Sequence, residues 1–386
     1  MDVLIFQPYL HGIGGSERVV LEIAKKYNSP IYCVDYVKGA TYPEFSEFEI
    51  RKIKPSPLEG FARAMLSIDR DKRMQEAGAS GMRMLGMKIR EDYDVVSAHL
   101  PPSEWIRNRN ERVCWYCHGP NAAFKLYDIM FKERNLQERL LLHAGCAYYR
   151  AVELPLMKKM ETICTCSNAT KEKISRHLYR DDARVAYPSI DLSGFALRDY
   201  GKFFLCVSRF VPEKRFEYAI DAFRKFSKGR KGWKLVIAGY LLDNRRNNLY
   251  LRRLREYAGG GDVVFEVNPP DSRIRRLYSD CRALLFSSFD EDWGIVILEA
   301  MASRKPCISV NKGGPRESIV NGKTGFLVDS AEEMAEEMEF LAGHQDECER
   351  MGREGRKRVE KEFTWKIFLG KMDKAFRETA KGKDGS

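Results

Sequence analysis

The sequence predicts an α/β protein of two doubly wound domains, each a parallel sheet covered by helices on both faces. Three observations carry this. The chain has 386 residues, too long for one compact core and ordinary for two domains. Short β-branched apolar runs recur along it, each followed by a turn and a helical pattern. The runs are almost continuously apolar rather than alternating, as in strands buried on both faces.

Taken in order, VLIFQ (3–7) is the first strand, leading through HGIGG into SERVVLEIAKKY, whose apolar residues share one helical face. DVVSAH (94–99) and RVCWYCH (112–118) follow as strands. Charged helices interrupt the alternation between about 120 and 165, and ICTCSN and RVAYPS resume it. The segment 189–202, with Ser, Gly and Asp and weak periodicity, reads as the linker. Beyond it FFLCVSR, KLVIAGY, VVFEV, ALLFSS and CISV alternate with helices such as FEYAIDAFRKF and GIVILEAMAS. The expected division is a first domain over 1–195, a second over 196–364, and a terminal helix over 365–386. In that helix Trp365, Phe368, Met372 and Phe376 fall on one side, a face that must dock. The tail KGKDGS is expected to fray.

Composition narrows the class. With 44% hydrophobic and 31% charged residues the chain is expected to fold in water, and no apolar run is long enough to cross a bilayer. Its N-terminus lacks a basic region and a small-residue cleavage site, so a cytoplasmic protein is expected. The ten cysteines lie in apolar segments and read as buried free thiols. A net charge of +11 favours anionic partners: nucleotide phosphates, nucleic acid or an anionic membrane surface. No nucleic-acid motif or aromatic–basic platform accompanies the charge, so a nucleic-acid partner is not expected.

One stretch advertises different chemistry. Cys114, Cys117 and His118 in RVCWYCHGP spell the C-x-x-C-H of covalent haem attachment. A zinc site would want a second close Cys or His pair, which the CTC of 164–166 does not supply. On a strand, Cys114 and Tyr116 point one way, Trp115 and Cys117 the other. Both thiols then read as small core residues, and His118 stands at the strand's carboxyl end.

The chemistry-bearing stretches lie at strand ends. In FSSFDEDWGIVILEAMAS a strand ends near Phe289, an acidic turn follows and a helix begins near Gly294. Glu291 then sits at the strand's carboxyl end, with Glu299 on the helix behind it. Ligands of open α/β sheets bind there, beside helix N-termini, where the N–H groups of Trp293, Gly294 and Ile295 meet hydroxyls or an anion. Two carboxylates in such a crevice suit a ribose or a sugar, each accepting paired hydrogen bonds. The plainer alternative is an acidic helix cap formed by Asp290, Glu291 and Asp292. Asp290-x-Asp292 without a third ligand is weak as a metal site, and no metal is expected. In VSRFVPEKRFEYAIDAF, Arg209 ends a strand and Lys214 precedes a helix, two cations able to neutralise a diphosphate or simply to be solvated. Gly14 and Gly15, between the first strand and first helix, let the backbone approach a phosphate. They do not form G-x-G-x-x-G, and no acidic residue ends a clear second strand, so dinucleotide binding fits poorly.

Together and in this order, these features resemble the retaining glycosyltransferases of family four, which have the GT-B fold. The resemblance rests on Gly14-Gly15, Ser208-Arg209 with Lys214, the Glu291 to Glu299 spacing around Trp293-Gly294, Gly313-Gly314, and Asn321-Gly322-Lys323-Thr324-Gly325. CHGPNAAFKLYD looks like a stretch of mannosyltransferase-like members. The resemblance implies two Rossmann-like domains facing across a cleft, with the C-terminal helix returning to the N-terminal, acceptor-binding domain. It implies a nucleotide-diphosphate sugar as donor, with no tightly bound cofactor or metal. Glu299 would hold the ribose, and Glu291 the sugar hydroxyls with the amides around Gly294. Arg209 and Lys214 would stabilise the departing diphosphate, reached also by the Gly14-Gly15 backbone. His118 would face the sugar or acceptor. GDP-mannose is the expected donor and a glycan or polyprenyl-linked molecule the expected acceptor, in polysaccharide or glycoconjugate synthesis. Rival readings are a nucleotide-sugar 2-epimerase of the same fold and a non-catalytic nucleotide- or glycan-binding protein. Basic amphipathic helices in 61–92 and 124–160 suggest peripheral association with an anionic membrane, against the alternative of core stripes with solvated faces.

Overall fold

The computed structural model describes residues 1–57, 59–60, 72–120, 136–242 and 244–382. Two compact units emerge: Met1–Pro188 with Lys366–Ser386, and Ser189–Trp365. The segment 189–195, assigned above to the first domain, belongs to the second. Ser189 donates to the carbonyl of Phe363, and the Phe195 ring meets Tyr278 edge-on at 6.1 Å.

The first unit is built on a parallel sheet of seven strands. In chain order these are β1 (Val3–Phe6), β2 (Ile31–Cys33), β3 (Ile50–Lys52), β4 (Val95–His99), β5 (Val113–Cys117), β6 (Thr162–Thr165) and β7 (Arg184–Val185). They lie in the order β3-β2-β1-β4-β5-β6-β7. The chain winds outward from β1 one way and then, from β4, the other, so a topological switch falls between β1 and β4. Strands β2 and β3 were not legible: three residues each is too short for a periodicity to declare itself. Trp105, Trp115, Met157 and Ile163 are among the fully buried residues of its core.

The terminal helix, Trp365–Ala380, docks on this unit through the expected face: Phe368, Met372 and Phe376 are all fully buried. Phe368 meets Tyr116 edge-on at 5.6 Å, and Phe376 meets Tyr27 at 5.6 Å. Polar pins flank the apolar contact, Tyr27 donating to Asp373 at 2.8 Å and Thr379 to Thr162 at 2.8 Å.

The second unit repeats the plan with six parallel strands: β8 (Phe203–Val207), β9 (Lys234–Gly239), β10 (Val263–Val267), β11 (Ala283–Phe286), β12 (Cys307–Val310) and β13 (Gly325–Val328). Their order is β10-β9-β8-β11-β12-β13, which puts the switch between β8 and β11. Phe204, Phe226 and Trp233 form an aromatic cluster with centroids 5.2 to 5.3 Å apart at one face. Among the described residues nine cysteines, including Cys114 and Cys117, are free and buried, and Cys114 and Cys164 lie with sulfurs 3.9 Å apart.

The basic helical stretches raised above as a membrane surface fall partly outside the described residues, at 61–71 and 121–135. Helices Lys72–Gly86 and Leu136–Lys159 are described, the latter with Leu136 and Leu140 exposed. No helix among the described residues is long and apolar enough to cross a membrane.

Candidate active site

In the second unit the residues singled out from sequence gather at the switch point. Arg209 follows β8, and Glu291 follows β11, its immediate neighbour in the sheet. The loop after β8 is pressed against the next strand: a Cβ on Gly239 would lie 1.7 Å from the carbonyl oxygen of Ser208, so only glycine fits. A single helical turn, Pro212–Lys214, then brings the Lys214 ammonium onto the Glu291 carboxylate, and Ser287 fixes the turn by donating to the Lys214 carbonyl at 2.8 Å. Burial would push the Glu291 carboxyl up, but the Lys214 charge and a hydrogen bond from Ser288 outweigh it and hold the group below its ordinary range. Glu291 is therefore ionised at neutral pH. The Arg209 side chain is exposed and has no partner among the described residues.

The acidic loop owes its position to Gly313 and Gly314. A Cβ on Gly313, whose φ is +67°, would stand 2.3 Å from the carbonyl oxygen of Glu291. One on Gly314 would stand 2.5 Å from the Cα of Trp293, and the Gly314 amide donates to the Glu291 carbonyl at 2.9 Å. Trp293 turns inward and packs on Phe363 at 5.2 Å, so what it offers the site is backbone. Helix Ile295–Ala302 is capped by Gly294 at φ +83°, with no side-chain cap. The reading of Asp290 to Asp292 as a helix cap is thus not realised. The amides of Gly294 and Ile295 have no hydrogen-bond partner among the described residues, as the end of a helix leaves them.

Glu299 lies on that helix, accepting from the Tyr278 hydroxyl at 2.7 Å. Burial pushes its carboxyl up to about 7, overcoming the opposite effect of that hydrogen bond. Tyr278 comes from helix Asp271–Asp280, and no local pattern in the sequence points to it.

The first unit carries its candidates at the equivalent strand ends. Gly14 caps helix Gly15–Tyr27 with extended backbone, and the Glu17 carboxylate lies over this turn, taking a hydrogen bond from Ser16 at 2.7 Å. A carboxylate in the first helical turn is favoured by the helix dipole. His118 follows β5 and contacts His99, at the end of neighbouring β4, with ring nitrogens 3.4 Å apart. His99 and its partner Ser97 went unremarked in the sequence, where they look like part of an ordinary buried strand. Among the described residues no group of three or more His, Cys, Asp or Glu is placed to hold a metal ion.

Solved structures share the architecture. The Anabaena protein HepE, crystallised with UDP and glucose, superposes with a TM-score of 0.71 at 16% identity, over 98% of this chain and 99% of its own. Sucrose-phosphate synthase of Thermosynechococcus elongatus gives 0.73 at 17% identity, over 98% and 99%. Two parallel-sheet α/β units of this kind make up the GT-B fold.

Residues 13–193 match the family described as Glycosyltransferase Family 4, and residues 194–358 match Glycosyl transferases group 1. The chain belongs to this family, the group 1 glycosyltransferases of family 4. It is 30% identical to the alpha-1,3/1,6-mannosyltransferase alg-2 of Neurospora crassa, over 97% of this chain and 90% of the relative. With the human alpha-1,3/1,6-mannosyltransferase ALG2 it shares 26% identity, over 96% and 94%.

Proposed function

We propose that the protein is a retaining hexosyltransferase that moves mannose from GDP-mannose onto a glycan carried by a lipid. The Lys214–Glu291 pair at the switch point of the second unit carries the reading, because it sets a cation and a sugar-binding carboxylate side by side. The mannosyltransferase names of its relatives support mannose as the sugar. A lipid-linked acceptor also suits the net charge of +11, which favours an anionic membrane face.

The roles follow from charge. Breaking the sugar–phosphate bond builds negative charge on the diphosphate and positive charge on the ring. Arg209 and Lys214 stabilise the first, and more strongly in the transition state than in the ground state. When donor is absent Lys214 is neutralised by Glu291. Arrival of the diphosphate gives Lys214 a second anion and frees the carboxylate for the sugar hydroxyls. The amides of Gly294 and Ile295 serve the same end, and Glu299 holds the ribose. His118 faces the sugar. Glu291 binds; it is not assigned as a nucleophile.

A panel of nucleotide sugars offered with lipid-linked acceptors tests this. GDP-mannose should turn over fastest, and free nucleotide should appear only with acceptor present, which separates transfer from 2-epimerisation. Unchanged turnover in Glu299→Ala and Lys214→Ala would remove the site assignment.

A further inference from the structure

The first unit contains a hydrogen-bonded chain that the roles above do not use. Ser97 and His99 are both on β4 and both fully buried, and the Ser97 hydroxyl lies 2.8 Å from His99 Nε2. On the other side of the imidazole, His99 Nδ1 faces His118 Nε2 at 3.4 Å. Tyr116 closes the arrangement, its ring edge-on to His118 at 4.8 Å and its hydroxyl tied to the Ala186 carbonyl at 2.7 Å. Phe368 of the docked terminal helix braces Tyr116 in turn.

The protons of this chain can be assigned by counting. Burial, with His118 beside it, holds the His99 imidazole well below its usual range, so it is neutral and carries one N–H. Among the described residues the Ser97 hydroxyl has a single partner, His99 Nε2. Were that nitrogen the protonated one, the hydroxyl would accept, and its own buried proton would find no acceptor, which is unfavourable. Ser97 therefore donates to Nε2, and the His99 proton sits on Nδ1. That N–H donates to His118 Nε2, which must accept, leaving the proton of a neutral His118 on Nδ1. A second proton on His118 would set two N–H groups head to head.

We infer that Ser97 and His99 are positioning residues for His118, fixing its ring plane and its tautomer so that it works as a neutral Nδ1–H donor to an oxygen of the sugar substrate. The inference rests on the reading that His118 faces that substrate. The oxygen is a hydroxyl or a phosphoryl oxygen, each an acceptor for such a donor.

The test uses the whole chain. Nitrogen NMR of its six histidines should show His118 protonated on Nδ1, and His99→Phe, which keeps a planar ring without its nitrogens, should shift it toward the other tautomer. In the same variant kcat should fall about tenfold or more, the scale on which losing a histidine's outer partner acts at metal sites. KM for the donor should move less than twofold. His99→Asn, whose amide nitrogen takes the place of Nδ1, should recover most of kcat. Ser97→Ala, with almost no change of volume, should move both readouts the same way by less. A His118 protonated on Nε2 in the wild type would overturn the inference. So would wild-type kcat in His99→Phe while His118→Ala is inactive. Full activity in His118→Ala would instead overturn the assignment of His118 to the substrate, and the tautomer measurement would still judge the hydrogen-bonded chain.

Discussion

At the strand ends beside its switch point the second unit carries Arg209, Lys214 and Glu291, with Glu299 on the helix behind, whereas the first carries Gly14, Gly15, His99 and His118. The sheets are alike in winding and differ in what they hold. In the second unit two carboxylates sit in similar burial, yet Glu291 is kept ionised by the Lys214 ammonium upon it, while burial pushes Glu299, which accepts from a tyrosine hydroxyl, up to about 7. In the first unit Ser97, His99 and His118 are instead aligned by hydrogen bonds. One fold thus holds a charged pair at the strand ends of one half and a hydrogen-bonded histidine pair in the other, and the side chains at a few positions decide which.

The contrast breaks most readily at Lys214. Lys214→Ala should lower the rate of transfer at saturating donor by about 10²–10³, as loss of a preorganised electrostatic group does. A change confined to KM would mean that the cation stabilises bound donor and transition state alike.

Glycines offer the next comparison. Gly313→Ala forces a methyl to within 2.3 Å of a backbone oxygen at φ +67°, and should cost about 1–3 kcal/mol in thermal unfolding along with most activity. Gly14→Ala meets only the flexible end of Glu17 from extended backbone, so its unfolding free energy should change by less than about 0.5 kcal/mol. Equal destabilisation by the two would erase the distinction between a packed loop and an open turn.

Acidity separates the units more gently. Ribose hydroxyls donate to a carboxylate, so donor affinity should rise as pH climbs from 6 to 8 and Glu299, with its pKa near 7, ionises, by up to about tenfold. Glu299→Gln should flatten that dependence in titration calorimetry. In the ligand-free protein the sign is opposite. A folded pKa raised above the unfolded one gives stability that is present at acid pH and lost as pH rises through about 7, and Glu299→Gln should remove that slope as well.

The smallest effect is expected at the pattern that looked most like chemistry. Cys117 is buried in the β5 core, so Cys117→Ala should leave turnover within about twofold and cost about 1 kcal/mol in unfolding, the scale of a small core truncation.

Strands with four or more apolar residues, the doubly wound plan and the docking face of the terminal helix could be read along the chain, because burial on two faces imposes a local pattern. So could the places of Arg209 and Glu291 after neighbouring strands and of Glu299 on the following helix, since turn and helix signals are local. Less was legible where the pattern was short or the partner distant. Strands β2 and β3 lack length, and the segment 189–195 carries no mark of the unit it packs with. Tyr278 reaches Glu299 from another helix, and Gly313-Gly314 hold the acidic loop from beyond β12. His99 lies nineteen residues from His118 in sequence and one strand away in space.

By itself, then, the sequence determined which residue types stand at which strand ends, because hydrophobic periodicity and turn chemistry act within a few residues. Tertiary structure alone decided their charge states and partners. Whether a carboxyl is ionised, or which nitrogen of an imidazole bears a proton, depends on burial and on groups brought within a few ångströms from remote parts of the chain.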